Sequence, residues 1–288
     1  MRIFVVEPDG AGGMIHYAYQ LCTALAEAGA EVTMVTSRRY ELAHLPAPFT
    51  VEARMRLWPV IESHRRPEGR LGAFTFRLLH RFRRAFRAVR LALAWESLTR
   101  YLLRARPDVV QFGIIRFPFQ SFWLNRMERA GLALTQICHE YEPRELRLAV
   151  LQRGHQVYRS FRVIFFHSEA DRDRFARLHG RPEAVTRVIP HGNETLFART
   201  LDGGLPHLRD RYDIPASRPV ALFFGGLRPS KGIEDLVDAF AIARREVEAN
   251  LLIVGHPTAR FPLEALRRRI AASGCAGDVA LDPRYLPL

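Results

Sequence analysis

Three things are scarce in this chain: cysteine, long apolar runs and acidic charge. Its three cysteines, Cys22, Cys138 and Cys275, stand far apart with no C-x-x-C spacing, so neither a disulfide framework nor a cysteine-based zinc site is indicated. They read as reduced thiols of a cytosolic protein. No segment carries the ~20 consecutive apolar residues that a membrane span needs. The first apolar run, Ile3 to Val6, meets Glu7-Pro8-Asp9-Gly10 at once, too early for the core of a secretory signal. There is also no low-complexity tract and no repeat of fixed period. The acid deficit leaves a formal charge of +13, carried almost wholly by arginine, and this favours contact with phosphates or an anionic lipid surface. A hydrophobic share of 48% is enough to build cores and argues against global disorder. At 288 residues the chain is longer than one average domain, so two are expected.

Short β-branched runs alternate with helical patterns, the signature of a parallel α/β sheet. Strands are predicted at Arg2–Val6, Glu31–Thr36, Val109–Phe112, Ala133–Cys138, Val163–Phe166 and Thr186–Ile189. A second series is predicted at Val220–Phe224, Asn250–Val254 and Val279–Leu281. Between the series lies Thr200-Leu201-Asp202-Gly203-Gly204-Leu205-Pro206, a glycine- and proline-containing stretch without periodicity. It places a boundary near 198–216 and divides the chain into a domain of residues 1–200 and a second of 201–288.

The most informative stretch runs from Leu222-Phe223-Phe224 through Gly225-Gly226-Leu227-Arg228-Pro229-Ser230-Lys231-Gly232 into an amphipathic segment ending at Phe240. A strand, a glycine turn, two cations and a helix put Arg228 and Lys231 at the carboxyl rim of a sheet, where open α/β folds bind ligands. Arginine offers a planar fork of donors and lysine a mobile point charge, a pairing suited to a diphosphate. Upstream, Gly12 and Gly13 lie between the first strand and a helix, where backbone N–H groups can approach an anion. Taken alone that loop is weak, because it is not G-x-G-x-x-G and no acidic residue ends strand two.

With these residues in place, the segment resembles the donor-binding loop of retaining GT-B glycosyltransferases of family 4, hydrophobic strand then G-R-[hydrophobic]-x-x-x-K-G. Gly226, Arg228, Lys231 and Gly232 fit it, with Leu227 between the Gly and the Arg. Gly12, Gly13, Leu21, Leu25, Gly29, Val32, Val35 and Thr36 are similar to the same family's N-terminal loop and first helix, with Ala30 where the family usually has His. Cys138-His139-Glu140 looks like its strand-end H-E motif, and His167-Ser168 with Pro190-His191-Gly192-Asn193-Glu194 looks like the pair closing its N-terminal domain. Val254-Gly255-His256-Pro257 and Leu281-Asp282-Pro283-Arg284-Tyr285-Leu286-Pro287 are similar to its later nucleotide-proximal segments. The family's following E-x(7)-E element does not appear before Leu288, so the chain reads as a fragment of a longer enzyme, its second domain incomplete.

The resemblance implies an α/β fold of GT-B type, with two Rossmann-like domains facing a cleft, and transfer of a sugar from a nucleotide-diphosphate donor with retention. It assigns His139 a catalytic place at the sugar or acceptor, and Gly12, Gly13, Arg228, Lys231, Gly255 and Tyr285 to donor binding. His191, where relatives often have Asn, reads as scaffold. Neither cofactor nor metal is implied. The acceptor expected is a glycan or a lipid-linked molecule.

One further feature is the run from Arg65 to Arg106, with twelve arginines against Glu68 and Glu96. Leu78, Leu79, Phe82, Phe86, Val89 and Leu93 recur at helical spacing, with Arg77, Arg81, Arg84 and Arg87 on another face. Two readings stay open. The helix over 70–104 lies on an anionic membrane, placing the enzyme on its cytoplasmic face, or its apolar face packs on the sheet and the arginines are solvated. No recognised nucleic-acid module accompanies the charge, and no nucleic-acid partner is expected. Against the transferase stand a non-catalytic remnant and a basic anion- or membrane-surface-binding protein.

Overall fold

The computed structural model describes residues 1–55, 70–115, 117–139, 157–179, 185–193, 208–258 and 261–286, with the backbone alone at 70–85 and 208. Outside the described residues lie the 200–206 junction, Glu140 to Pro143, Glu194, Pro287, and the side chains of Leu78, Leu79, Phe82, Arg77, Arg81 and Arg84. The described residues form two compact units, the first within 1–193 and the second within 208–286.

The first unit is a seven-stranded parallel sheet built from β1 (Arg2–Glu7), β2 (Glu31–Ser37), β3 (Thr50–Met55), β4 (Val109–Phe112), β5 (Leu134–Ile137), β6 (Val163–Phe166) and β7 (Val185–Val188). Its order is β3-β2-β1-β4-β5-β6-β7. The run Ile3-Phe4-Val5-Val6 is apolar on both faces because β1 is central and covered on both sides, and all four residues are buried. The winding reverses between β1 and β4, so the crevice beyond their carboxyl ends is the ligand-binding switch point of such a sheet. Strand β3 escaped the sequence reading: Glu52 and Arg54 interrupt it, it lies at the sheet edge, and Met55 is its one fully buried residue.

Helix α1 (Gly13–Glu27) follows β1, and α2 (Arg70–Ala105) is a single helix of 36 residues, about 54 Å long at 1.5 Å per residue. Its C-terminal half packs on the sheet through Leu91, Trp95, Leu98 and Leu102, all buried. Trp95 stacks on Phe112 of β4 with centroids 5.8 Å apart. Burying such an indole contributes roughly 4–6 kcal/mol of apolar transfer. Glu96 fastens α3 (Ser121–Arg129) to α2, accepting from Arg126 at 3.0 Å and from the Trp123 indole at 3.1 Å.

The apolar stripe anticipated for α2 is not the one that packs. Phe86, Val89 and Leu93 are 63%, 57% and 64% exposed, because at 100° per residue they point away from Leu91, Trp95 and Leu98. The packing reading of these three residues is therefore corrected: one helix carries a buried stripe and an opposite, uncovered one.

In the second unit β8 (Val220–Phe224), β9 (Asn250–Val254) and β10 (Val279–Asp282) form a parallel sheet in the order β10-β9-β8. Helices α5 (Ile233–Ala243) and α6 (Leu263–Ala272) cover one face, counting α4 (Glu169–His179) in the first unit. Ile233, Val237, Phe240, Leu251, Ile253, Leu266 and Ile270 make its core. On the other face Leu252 and Val254 pack with Ile214, while Leu222 and Phe224 are 58% and 68% exposed on edge strand β8. Leu252 is buried, since β9 is central and paired on both sides.

Candidate functional site

At the switch point of the first unit, β1 ends in the buried Glu7, and the chain turns through Asp9 and Gly10 into α1. The close-packed glycine of this turn is Gly10: a Cβ there would stand 2.2 Å from the Arg39 carbonyl oxygen, whereas Gly12 and Gly13 face open space. The Gly12 N–H donates to the Glu41 carboxylate at 2.8 Å, and His16 Nε2 lies 2.5 Å from the same oxygen. In this structure a carboxylate of the protein thus occupies one of the two amides assigned to the donor. Glu41 was not legible as part of this loop, because it reaches α1 from beyond β2.

Three successive strands end in histidine. His139 follows β5 by two residues, His167 follows β6 directly, and His191 follows β7 by three. Neighbouring parallel strands lie only ~4.8 Å apart, so equivalent rim positions are brought together. The pairing extends to the rim itself: Cys138 N donates to the Phe165 carbonyl and Ile189 N to the Phe166 carbonyl, both at 2.8 Å. His139 Nδ1 and His167 Nε2 are 3.0 Å apart. The ring centroids of His167 and His191 are 4.8 Å apart. Tyr17, in the first turns of α1, lies against all three imidazoles, with centroids 4.7, 5.5 and 5.2 Å away.

The hydrogen bonds assign tautomers. His167 Nδ1 faces the Ile189 carbonyl at 3.3 Å and His191 Nδ1 faces the Gly192 carbonyl at 2.9 Å. A carbonyl only accepts, so in each neutral ring Nδ1 carries the proton and Nε2 the lone pair. His139 Nδ1 then donates to His167 Nε2, and its own Nε2 is a buried acceptor without a hydrogen-bond partner among the described residues. Burial, with smaller contributions from His167 and His191, lowers the His139 pKa to about 4. Burial also lowers that of His167, opposed by the Ile189 carbonyl, and raises those of the Tyr17 phenol and the Cys138 thiol. His139 is therefore a neutral acceptor at neutral pH, and Cys138 an inert thiol.

Sequence reasoning singled out His139, took His191 for scaffold, and gave no role to His167 or Tyr17. The available signal was positional: a histidine within three residues of the end of each of three consecutive strands. Tyr17 lacked even that, because its place depends on how α1 docks.

The second unit gathers Arg228, Lys231 and Gly255. Beyond β8, Gly225 N donates to the Val254 carbonyl, Leu227 N to the His256 carbonyl and Thr258 N to the Leu227 carbonyl, each at 3.0 Å. These bonds knit the loops after β8 and β9 together around the fully buried Leu227. Gly255 permits the closest approach. A Cβ on it would stand 1.7 Å from the Gly225 carbonyl oxygen, and its φ is +157°, so no side chain is accommodated there. On this frame Arg228 and the Pro229–Lys231 turn are exposed. Gly232, at φ +61°, sets the left-handed residue from which α5 starts. Glu234 and Asp235 complement that helix terminus, and Arg228 and Lys231 stand exposed just before it. Tyr285 is partly buried after β10, on the far side of β9 from the Arg228 loop. Beside it Asp282 is buried and accepts from Arg284 at 2.6 and 2.7 Å and from the Tyr212 hydroxyl at 2.8 Å.

A seven-stranded Rossmann-like sheet and a second parallel unit with a cationic glycine loop at its rim are the elements of the GT-B fold. The chain belongs to glycosyltransferase family 4, whose profile matches residues 11–195. Its fold is similar to that of sucrose-phosphate synthase from Thermosynechococcus elongatus, at 18% identity and TM-score 0.62 over 99% of this chain and 71% of that one. It is similar to HepE from Anabaena, solved with UDP and glucose, at 16% identity and TM-score 0.63 over 98% and 68%. A glycosyltransferase from Rickettsia africae gives 13% identity and TM-score 0.61 over 97% and 67%. No curated protein matches the chain in sequence.

Proposed function

We propose that this protein transfers a sugar from a nucleotide-diphosphate sugar to a glycan or lipid-linked acceptor with retention of anomeric configuration. The observation that carries the reading is the loop knitted at Gly225 and Gly255, which presents Arg228 and Lys231 outward in a chain of this family. HepE, a solved structure of similar fold, was crystallised with UDP and glucose, which favours a nucleotide sugar here.

In the proposed reaction the bond between the anomeric carbon and the diphosphate breaks, and the acceptor hydroxyl oxygen bonds to that carbon on the face the diphosphate leaves, its proton passing to the departing diphosphate oxygen. The main demand is electrostatic, because negative charge grows on the departing oxygen while the sugar carbon becomes electron-poor. Arg228 binds the diphosphate through its fork and Lys231 neutralises the leaving group, a task that needs no metal. Gly255 lets the backbone close the loop, and Tyr285 lines the nucleotide side. In the first unit the Gly12 and Gly13 amides assist the donor once the Glu41 carboxylate gives way. His139 Nε2, a buried acceptor, takes a hydrogen bond from a hydroxyl of the sugar or acceptor and so orients it.

A lipid-linked acceptor is favoured by α2. Phe86, Val89 and Leu93 stand exposed among Arg87 and Arg90, a cationic helix face with uncovered apolar side chains, as an interfacial helix requires. We place the enzyme on the cytoplasmic face of an anionic membrane.

The test is calorimetric binding of UDP, GDP and ADP, followed by transfer from the matching sugar nucleotide with the product's anomeric configuration read by NMR. Saturable binding of one diphosphate, weakened by Arg228→Ala and by Lys231→Ala, supports the assignment. Equal, purely salt-dependent binding of all three, unchanged in both variants, favours a general anion-binding protein instead.

A further inference from the structure

We propose that His139, His167 and His191 form a binding site for a divalent transition-metal ion, with Zn²⁺ the principal candidate. One ring nitrogen from each of the three lies within 4.8 Å of the others. All three belong to the first unit, on rims fixed by the parallel pairing of β5, β6 and β7. A tetrahedral ion with Zn–N bonds of ~2.0–2.1 Å holds its ligand nitrogens about 3.3 Å apart. His139 Nδ1 and His167 Nε2 already stand at 3.0 Å. The third ligand has to move inward by roughly 1.5 Å at most to reach that spacing, and His191 is the exposed member of the trio.

The supporting shell is already present. A metal-bound histidine generally donates its other ring N–H to a carbonyl or carboxylate, which fixes the tautomer and the ring plane. His167 makes that bond to the Ile189 carbonyl and His191 to the Gly192 carbonyl, so both rings keep Nε2 as the electron-pair donor. His139 contributes Nδ1. Its proton there passes to solvent while Nε2 takes one up, so the ring stays neutral and no net proton is released. Three imidazoles make a borderline-soft nitrogen site with a fourth position open, which suits Zn²⁺, Ni²⁺ or Cu²⁺ and not the oxygen-seeking Mg²⁺ or Ca²⁺.

An ion bound here consumes the lone pairs of the trio. On the functional reading above, on which this consequence alone rests, occupancy leaves His139 Nε2 protonated and unable to accept from the substrate hydroxyl, which makes Zn²⁺ an inhibitor that a chelator reverses. Metal binding itself stands independently of that reading.

The decisive measurement is metal binding to the chelator-stripped 288-residue protein, by competition with a chromophoric zinc indicator and by the visible spectrum of Co²⁺ as a stand-in. The expected result is one ion per chain with Kd below ~10 μM, intense tetrahedral Co²⁺ bands, a raised melting temperature with Zn²⁺, and none with Mg²⁺. His191→Ala, at an exposed position, is expected to keep the metal-free melting temperature and to weaken binding at least tenfold. His167→Gln is expected to abolish the Co²⁺ bands. Absence of binding at 100 μM Zn²⁺, or binding untouched by both substitutions, overturns the site. Zinc binding at the trio without inhibition of transfer leaves the site standing and removes the role given to His139.

Discussion

His139 differs from its two partners in one respect: its Nε2 is buried without a hydrogen-bond partner among the described residues. Because its pKa falls from 6.5 to about 4, the unfolded chain binds a proton at that histidine more readily than the folded one. The stability it contributes is complete above pH 6.5 and is lost as pH falls toward 4. Urea melts at pH 7 and pH 5 are expected to differ by on the order of 1–2 kcal/mol through this group. His139→Gln, which cannot titrate, is expected to flatten that difference; an unchanged slope means that another group is responsible. At Arg228 the prediction concerns affinity. Arg228→Ala removes charge-assisted hydrogen bonds worth ~1.5–3 kcal/mol, so nucleoside diphosphate binding is expected to weaken about 10- to 100-fold. Arg228→Lys is expected to recover only part of it, since a point charge cannot reproduce the planar fork. Arg228 is exposed, and unfolding midpoints of both variants are expected to match the parent within ~0.5 kcal/mol.

Helix α2 is where sequence and structure part most usefully. A periodic reading found the stripe Phe86, Val89, Leu93, while the stripe that packs is Leu91, Trp95, Leu98, Leu102. Both obey helical spacing, and the sequence has no means of choosing between two apolar faces on one helix when only one meets the sheet. Strands β4, β6, β8 and β9 were legible to the residue, because each is a short, mostly apolar run bounded by turn residues. Strand β3 was not, being charged and at the edge. The turn that exposes Arg228 and Lys231 was legible from glycine and cation spacing, whereas the histidine cluster depends on strand order, which spacing along the chain does not contain. The exposed stripe makes a prediction: the protein sediments with phosphatidylserine vesicles at low salt and is released as salt rises, since the Debye length is ~10 Å at 0.1 M. The triple variant Phe86→Ser, Val89→Ser, Leu93→Ser is expected to lose sedimentation while keeping its melting temperature. Trp95→Ala, on the buried stripe, is expected to cost ~3–5 kcal/mol instead. Recovery of the triple variant equal to that of the parent removes the helix from membrane contact.

Over the whole molecule part of the arginine excess serves the fold. Asp282, buried at the end of β10, is held by Arg284 first and by Tyr212 and Arg211 further, and its pKa is lowered to about 2. Its contribution is therefore present above the ordinary value of 3.8 and is lost as pH falls through about 2. Asp278 joins Arg218 and Arg244, accepting from them at 2.7 and 2.9 Å. Asp282→Asn is expected to lower the unfolding midpoint at pH 7 and to shrink the further loss on acidification to pH 2. A variant as stable as the parent at pH 7 dismisses the cluster as a brace.

One consequence of the exposed turn at Lys231 is practical. Among 43 cationic side chains it is the single lysine in these 288 residues, so apart from the amino terminus it is the one primary amine in the chain. Reductive methylation with ¹³C-formaldehyde then installs one side-chain NMR probe, already seated on the loop assigned to the diphosphate, without any mutation. A nucleotide that binds there has to move that resonance or slow its labelling, and one that binds elsewhere leaves both as they were.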